Sequence, residues 1–220
     1  MEEARIVTAC NQIYAETNHI YSQYRQQLGT NDLGFKILYG PPHLNAPVLF
    51  IGDQPGGTAA EDFKSERYEW FPKCEYATES WPLARNMQNM FGPTFLLGCV
   101  GVNANFFRAQ NSSSWNSVPR SLRDTLERFC SEQLFKLISL LNPIQIVVIG
   151  FSTLDKFCSS QPLLYGAKDR VLMRAGKVGQ RPAVSTLHLS GAHIATDDRR
   201  KIAKAIRDIV GHGTASGPTA

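Results

Sequence analysis

Pro47-Val48-Leu49-Phe50-Ile51-Gly52-Asp53-Gln54-Pro55-Gly56-Gly57 is an apolar run that stops abruptly at a glycine and an acidic residue. A short strand that is apolar on both alternating faces belongs in a sheet covered from both sides. A polar ending marks the edge where such sheets hold ligands. Residues 144–149, Ile-Gln-Ile-Val-Val-Ile, repeat the pattern and end at Gly150, and residues 182–187, Pro-Ala-Val-Ser-Thr-Leu, end at His188. A fourth run, 95–102, ends at Asn103-Ala104-Asn105. Four strands delivering four polar loops to one edge predict a central, mainly parallel four-stranded sheet.

Helical patterns lie between these runs. Residues 2–28 contain no Gly or Pro, and Ile6, Ile13, Tyr14, Ile20, Tyr21, Tyr24 and Leu28 recur at helix-like spacing. Residues 29–45 are rich in Gly, Pro and Asn and read as an irregular connector with a short extended piece at 35–39. Residues 81–91 and 121–141 carry apolar stripes, the second closed by Asn142-Pro143. Over 196–210, Thr196 is a candidate cap, Asp197 and Asp198 occupy the first turn, and Ile202, Ala205, Ile206 and Ile209 face the core. The fold class expected is α/β, a three-layer α/β/α sandwich. Its organisation is an N-terminal helix over 1–30, one α/β domain over 31–210, and a disordered tail over 211–220.

The bulk properties set bounds. A chain of 220 residues is within reach of one hydrophobic core. No stretch approaches the roughly 20 consecutive apolar residues of a membrane span, and the start Met1-Glu2-Glu3-Ala4-Arg5 lacks the order of a signal peptide. A cytoplasmic protein, or one of the nucleoid or nucleus, without a membrane partner and monomeric, is the expectation. The five cysteines are scattered, odd in number and without a Cys-x-x-Cys pair. That argues against a disulfide scaffold and a zinc site, and predicts reduced thiols and no metal or other cofactor. A net charge of +4 suits a polyanion without demanding one.

Three strand-end loops carry the chemistry. Asp53 places a carboxylate in a tight Gly/Pro turn, and taken alone an ordinary capped turn is the better account of it, since Asp and Gly are common turn residues. Asn103 offers a donor and an acceptor on one side chain, suited to reading the edge of a base. His188 heads Leu189-Ser190-Gly191-Ala192-His193, a small, bendable loop. In this order, over about 35–210, the three motifs resemble the uracil-DNA glycosylase superfamily. The first is similar to the Gly-Glu-Ala-Pro-Gly motif of its iron–sulfur branch with Asp53 in place of Glu. The third is similar to its His-Pro-Ser signature with Leu189 in place of Pro.

The resemblance implies a DNA glycosylase that flips a damaged base out of DNA and hydrolyses the N-glycosidic bond. Asp53 and His188 would be catalytic, the first positioning water and favouring the sugar cation, the second stabilising the departing anionic base. Gly52, Gln54, Pro55, Gly56 and Asn103 would line the base pocket. Tyr68, Trp70, Phe71 and Tyr76 are candidate stacking platforms, with Phe71 favoured and Tyr76 next. Ser190, Gly191, His193 and Ile194 would meet DNA, with Ile194 or His193 as the wedge, and Arg199, Arg200 and Lys201 would reach phosphates. Cys10 is alone and Phe107 stands where a cluster ligand would fall, so no iron–sulfur cluster is expected. Gly56 replaces the Tyr that excludes thymine in the uracil-specific branch, which widens the possible base choice. Two alternatives stay open: a nucleic-acid-binding module that has lost hydrolysis, and a small-molecule α/β enzyme. Against the second, the chain has neither a Gly-x-Ser-x-Gly elbow nor a dinucleotide fingerprint.

Overall fold

The computed structural model describes residues 2–57, 70–190 and 193–215, of which 212–215 are described as backbone only. In chain order the elements are α1 (Glu2–Leu28), β1 (Val48–Gly52), α2 (Glu75–Thr78), α3 (Pro82–Phe91), α4 (Pro93–Leu97), β2 (Val100–Asn103), α5 (Ser112–Asn116) and α6 (Arg120–Leu141). They continue with β3 (Gln145–Ile149), α7 (Phe151–Leu154), β4 (Gln161–Tyr165), β5 (Val171–Val178), β6 (Arg181–Thr186) and α8 (Thr196–Ala215).

The four strands read from sequence form one parallel block, ordered β2-β1-β3-β6. The fold is α/β, but the expected four-stranded sheet is corrected to a six-stranded mixed one, because β5 and β4 continue it antiparallel beyond β6. These strands escape a search for apolar runs. β4 contains Pro162, tolerated because the strand lies at the sheet edge, and β5 carries Arg174, Gly176 and Lys177. Gly179, at φ 59°, makes the tight link from β5 to β6.

Alternation along the strands builds two cores. Leu49, Ile51, Val100, Val102, Ile146 and Val148 pack towards α1 and α6, and Val48, Phe50, Val147 and Ile149 pack towards α3 and α8. Every residue of β1 is buried, as its unbroken apolar pattern predicts. Burying a side chain such as Phe50 or Ile51 contributes about 1.5–3 kcal/mol each. Burial also pushes the Cys10, Cys99 and Cys130 thiols up to about 12, so they behave as small apolar core groups. All five cysteines are free.

The connector from Gly29 to Asn45 is pinned by helix α1. Tyr14 Oη accepts from Leu38 N at 3.0 Å, and Tyr21 Oη accepts from Gly34 N at 3.2 Å while bonding Asp32. The extended piece expected at 35–39 makes isolated bridges, Phe35 with Phe107 and Leu38 with Val102. Three other expectations are corrected. The run 95–102 is helical in its first part, because Pro93 begins a helix after Gly92 at φ 78°, and only Val100–Asn103 is strand. Helix α8 continues through 211–215, where a disordered tail was expected, and the rest of that tail lies outside the described residues. The bond from Arg199 N to Ala195 O makes Ala195 the cap and Thr196 the first helical residue. No helix among the described residues is long and apolar enough to cross a membrane.

Candidate functional site

Parallel pairing lines up three of the four loop starts. Gly52 is in register with Asn103, and Ile149 with Thr186, so the order along the edge is Asn103, Gly52-Asp53, Gly150, His188. With strands spaced at about 4.8 Å, Asp53 and His188 stand roughly 10 Å apart across β3. A Cβ on Gly150 would make ordinary contact with His188 Cδ2 at 3.5 Å, so the His188 ring packs close beside this turn, and the φ of 102° is what calls for glycine there.

Asn103 is buried, and its Nδ2 donates to Tyr39 Oη at 2.9 Å. Its Oδ1 lies over Gly52, where any Cβ would fall well inside van der Waals contact. Gly52 is therefore the residue that admits the Asn103 amide. Tyr39 in turn stacks on Tyr76 with centroids 5.2 Å apart, and the Lys36 ammonium lies 4.6 Å above the Tyr39 ring. Lys36 pairs with buried Glu75 at 2.6 Å. Burial of Glu75 outweighs the attraction of Lys36 and raises its carboxyl pKa.

The Asp53 loop is zipped to the segment that follows Asn103. Ala104 N donates to Gly52 O at 2.8 Å, Asn105 N to Asp53 O at 2.9 Å and Ala109 N to Pro55 O at 3.2 Å. Gln54 Nε2 donates to Phe107 O at 2.9 Å, and Arg108 Nη1 to Gly56 O at 2.9 Å. These bonds fix the backbone that carries the carboxylate, so Gln54 and Pro55 act mainly as supports. Among the described residues, nothing lies within 4 Å of where a Cβ on Gly56 would stand.

The Asp53 carboxylate is half-exposed and pairs with the Lys156 ammonium, which follows helix α7. Beside this pair opens a cleft of about 610 Å³ towards α5 and α6, with Asn105, Trp115, Arg123, Glu127 and Arg128 on its walls. Lys156 is the main site residue that sequence reasoning missed. The signal was available: β3 ends at the same edge as the other strands, so the residues after Gly150 deserved the same scrutiny.

His188 is exposed, and its Nδ1 is 3.1 Å from Ser190 Oγ. Its loop is tied down through a relay. Arg199 Nη1 donates to Asn86 Oδ1 at 2.8 Å, and Asn86 Nδ2 donates to Leu189 O at 2.7 Å. Arg199 Nε reaches Ile194 O at 3.2 Å and Arg170 Nη1 reaches His193 O at 2.7 Å.

Several expected contacts are corrected by burial. Tyr76 is enclosed by Tyr39, Phe50, Trp81 and the Gly101 backbone, so it supports Tyr39 and offers no face to a base. Ile194 is a core residue at 5% exposure, which leaves exposed His193 as the wedge candidate. Arg199 is committed to the loop relay, whereas Arg200 stays exposed beside its neighbour Asp197, 3.1 Å away, and remains a phosphate candidate. Phe71 is 54% exposed, with the Lys36 ammonium 5.2 Å from its ring centroid, whereas Trp70 packs edge-on against Tyr14. Tyr68 and Gly191 lie outside the described residues. Among the described residues no group of three or more His, Cys, Asp or Glu is placed to hold a metal ion.

Compared with known proteins, the sequence matches no family model and no curated protein.

Proposed function

We propose that this chain is an N-glycosidase that excises a flipped-out base, uracil or another deaminated base, from DNA as a step of repair. The observation that carries the reading is the delivery of Asp53, Asn103 and His188 to one sheet edge by three strands of a single parallel block, β1 beside β2 and β6 beyond β3. Cleavage of the C1′–N bond leaves positive charge on the sugar and negative charge on the base, and the row offers one group for each. The Asp53 carboxylate orients water and favours the sugar cation once substrate or water displaces Lys156. Ser190 Oγ lies 3.1 Å from His188 Nδ1, and the reading requires it to donate there so that the ring hydrogen sits on Nε2, the donor needed at the base oxygen. Asn103 reads the base edge with Tyr39 holding its amide, and Phe71 gives a stacking face. Gly56, with no side chain, fits a tolerant pocket.

One observation favours a second reading, a nucleic-acid-binding module without hydrolysis. The Lys156 ammonium occupies an oxygen of the proposed water-positioning carboxylate. A panel of single- and double-stranded oligonucleotides carrying uracil, hypoxanthine, xanthine or mismatched thymine separates the two. Excision leaves alkali-sensitive abasic sites. Binding without any abasic product selects the second reading.

A further inference from the structure

The turn between β4 and β5 carries none of the roles assigned above, yet it stands at the same sheet edge as Asp53, Asn103 and His188. Strand β5 runs antiparallel to β6, with Met173 opposite Thr186, and Leu187 N donates to Leu172 O at 3.3 Å. β5 therefore begins where β6 ends, and β4, antiparallel to β5, ends there too. Two strand spacings put the end of β4 roughly 10 Å from His188, a span of a few nucleotides along one DNA strand.

Tyr165, the last residue of β4, is 50% exposed, and a half-exposed ring carried on a sheet edge is what base stacking uses. Among the described residues the exposed Lys168 side chain makes no hydrogen bond or ion pair, and the same holds for Lys201 of α8. Lys168 and Asp169 both take left-handed backbone, at φ 54° and 57°. Two successive non-glycine residues in that region are uncommon, and such strain gathers at ligand-binding segments. The turn is also built onto the His188 loop and α8. Gly166 N donates to Arg170 O at 2.8 Å, and Arg170 Nη1 donates to His193 O at 2.7 Å. The buried Asp198 carboxylate lies so close over Gly166 that a Cβ there would fall 2.6 Å from Oδ1. Lys201, one turn beyond Asp198, shares its helix face. Of the acids in 165–170 and 197–201, Asp198 is buried and Asp197 is paired with Arg200. Asp169 is then the exposed acid set against Lys168, Arg170 and Lys201. An excess of cations beside an exposed ring fits an anionic strand with bases free to stack.

We infer that the β4–β5 turn grips the DNA strand beside the flipped-out nucleotide, with Tyr165 stacking on an unpaired base and Lys168 on a phosphate. The partner's class rests on the nucleic-acid reading above. The test measures binding to an undamaged strand, without base release, so the inference and the glycosidase reading fail separately. The probe is fluorescein-labelled single-stranded (dT)11, followed by anisotropy over a salt series, with the melting temperature of each variant beside it. Lys168→Gly removes the cation and suits the left-handed backbone, so the fold is kept. It should weaken binding at least about threefold and lower the salt slope by about 0.7. Tyr165→Ala should weaken binding at least about fivefold with the slope unchanged, and Tyr165→Phe, which keeps the ring, should bind as wild type does. Failure of the wild type to bind (dT)11 overturns the inference. So does affinity within about twofold of wild type in either Lys168→Gly or Tyr165→Ala, or an equal loss in Tyr165→Phe. Sedimentation covers the remaining occupant of an exposed sheet edge: a wild-type dimer that Tyr165→Ala dissociates would assign this surface to a second copy of the chain and overturn the inference as well.

Discussion

Gly52 shows how much a single residue decides in this protein. Its missing side chain is the space into which Asn103 Oδ1 fits, and the Asn103 amide is then aligned by Tyr39. Gly52→Ala therefore displaces the Asn103 amide by about 1 Å. It should lower kcat/KM for base release by about 100-fold, the usual result of such a misplacement, while melting shifts by only a few degrees. Steady-state kinetics beside a thermal melt checks this. Glu75 gives a pH signature. Its pKa is raised by burial, against the pull of Lys36, so folding favours its protonated form. That contribution is fully present below the unfolded value of 4.5 and is lost as pH rises through the raised folded value. Glu75→Gln should flatten the fall in melting temperature as pH rises above 4.5, measured against wild type.

At the scale of elements, the parallel block was legible because its strands are buried on both faces and so are apolar without interruption, as 47–51 and 144–149 show. The β4–β5 pair was hidden because an edge hairpin needs no such run and tolerates Pro162 and Arg174. The same limit applies to the candidate site. Asp53, Asn103 and His188 stand out as polar residues at the ends of apolar strands. Lys156 and Tyr39 reach the row from a turn and a connector, where nothing local distinguishes them from surface residues. Burial then separates Tyr76 and Ile194 from Phe71 and His193, which composition cannot do. The Arg199–Asn86–Leu189 relay acts at this scale too, since it fixes the loop that carries His188. Arg199→Ala should loosen that loop. The expected outcome is faster amide hydrogen exchange at 187–190 and, in the proposed reaction, roughly tenfold slower base release, because each lost charge-assisted bond weakens the anchor. Unchanged exchange would mean that the relay is not what holds the loop.

Across the whole molecule, six strands, two cores and the segment after Asn103 hold one row of polar groups at one sheet edge, beside a cation-lined cleft. Backbone hydrogen bonds tie the Asp53 loop to residues 104–109, and in the proposed reading Lys156 is the partner that substrate would displace. The measurement that bears most directly on this account is single-turnover base release from the best substrate of the oligonucleotide panel by wild type, Asp53→Asn and His188→Ala, each with its melting temperature. The account predicts abasic product from wild type and a slowing of at least about 100-fold in each variant, with melting temperatures close to wild type. Release by both variants at the wild-type rate would contradict it.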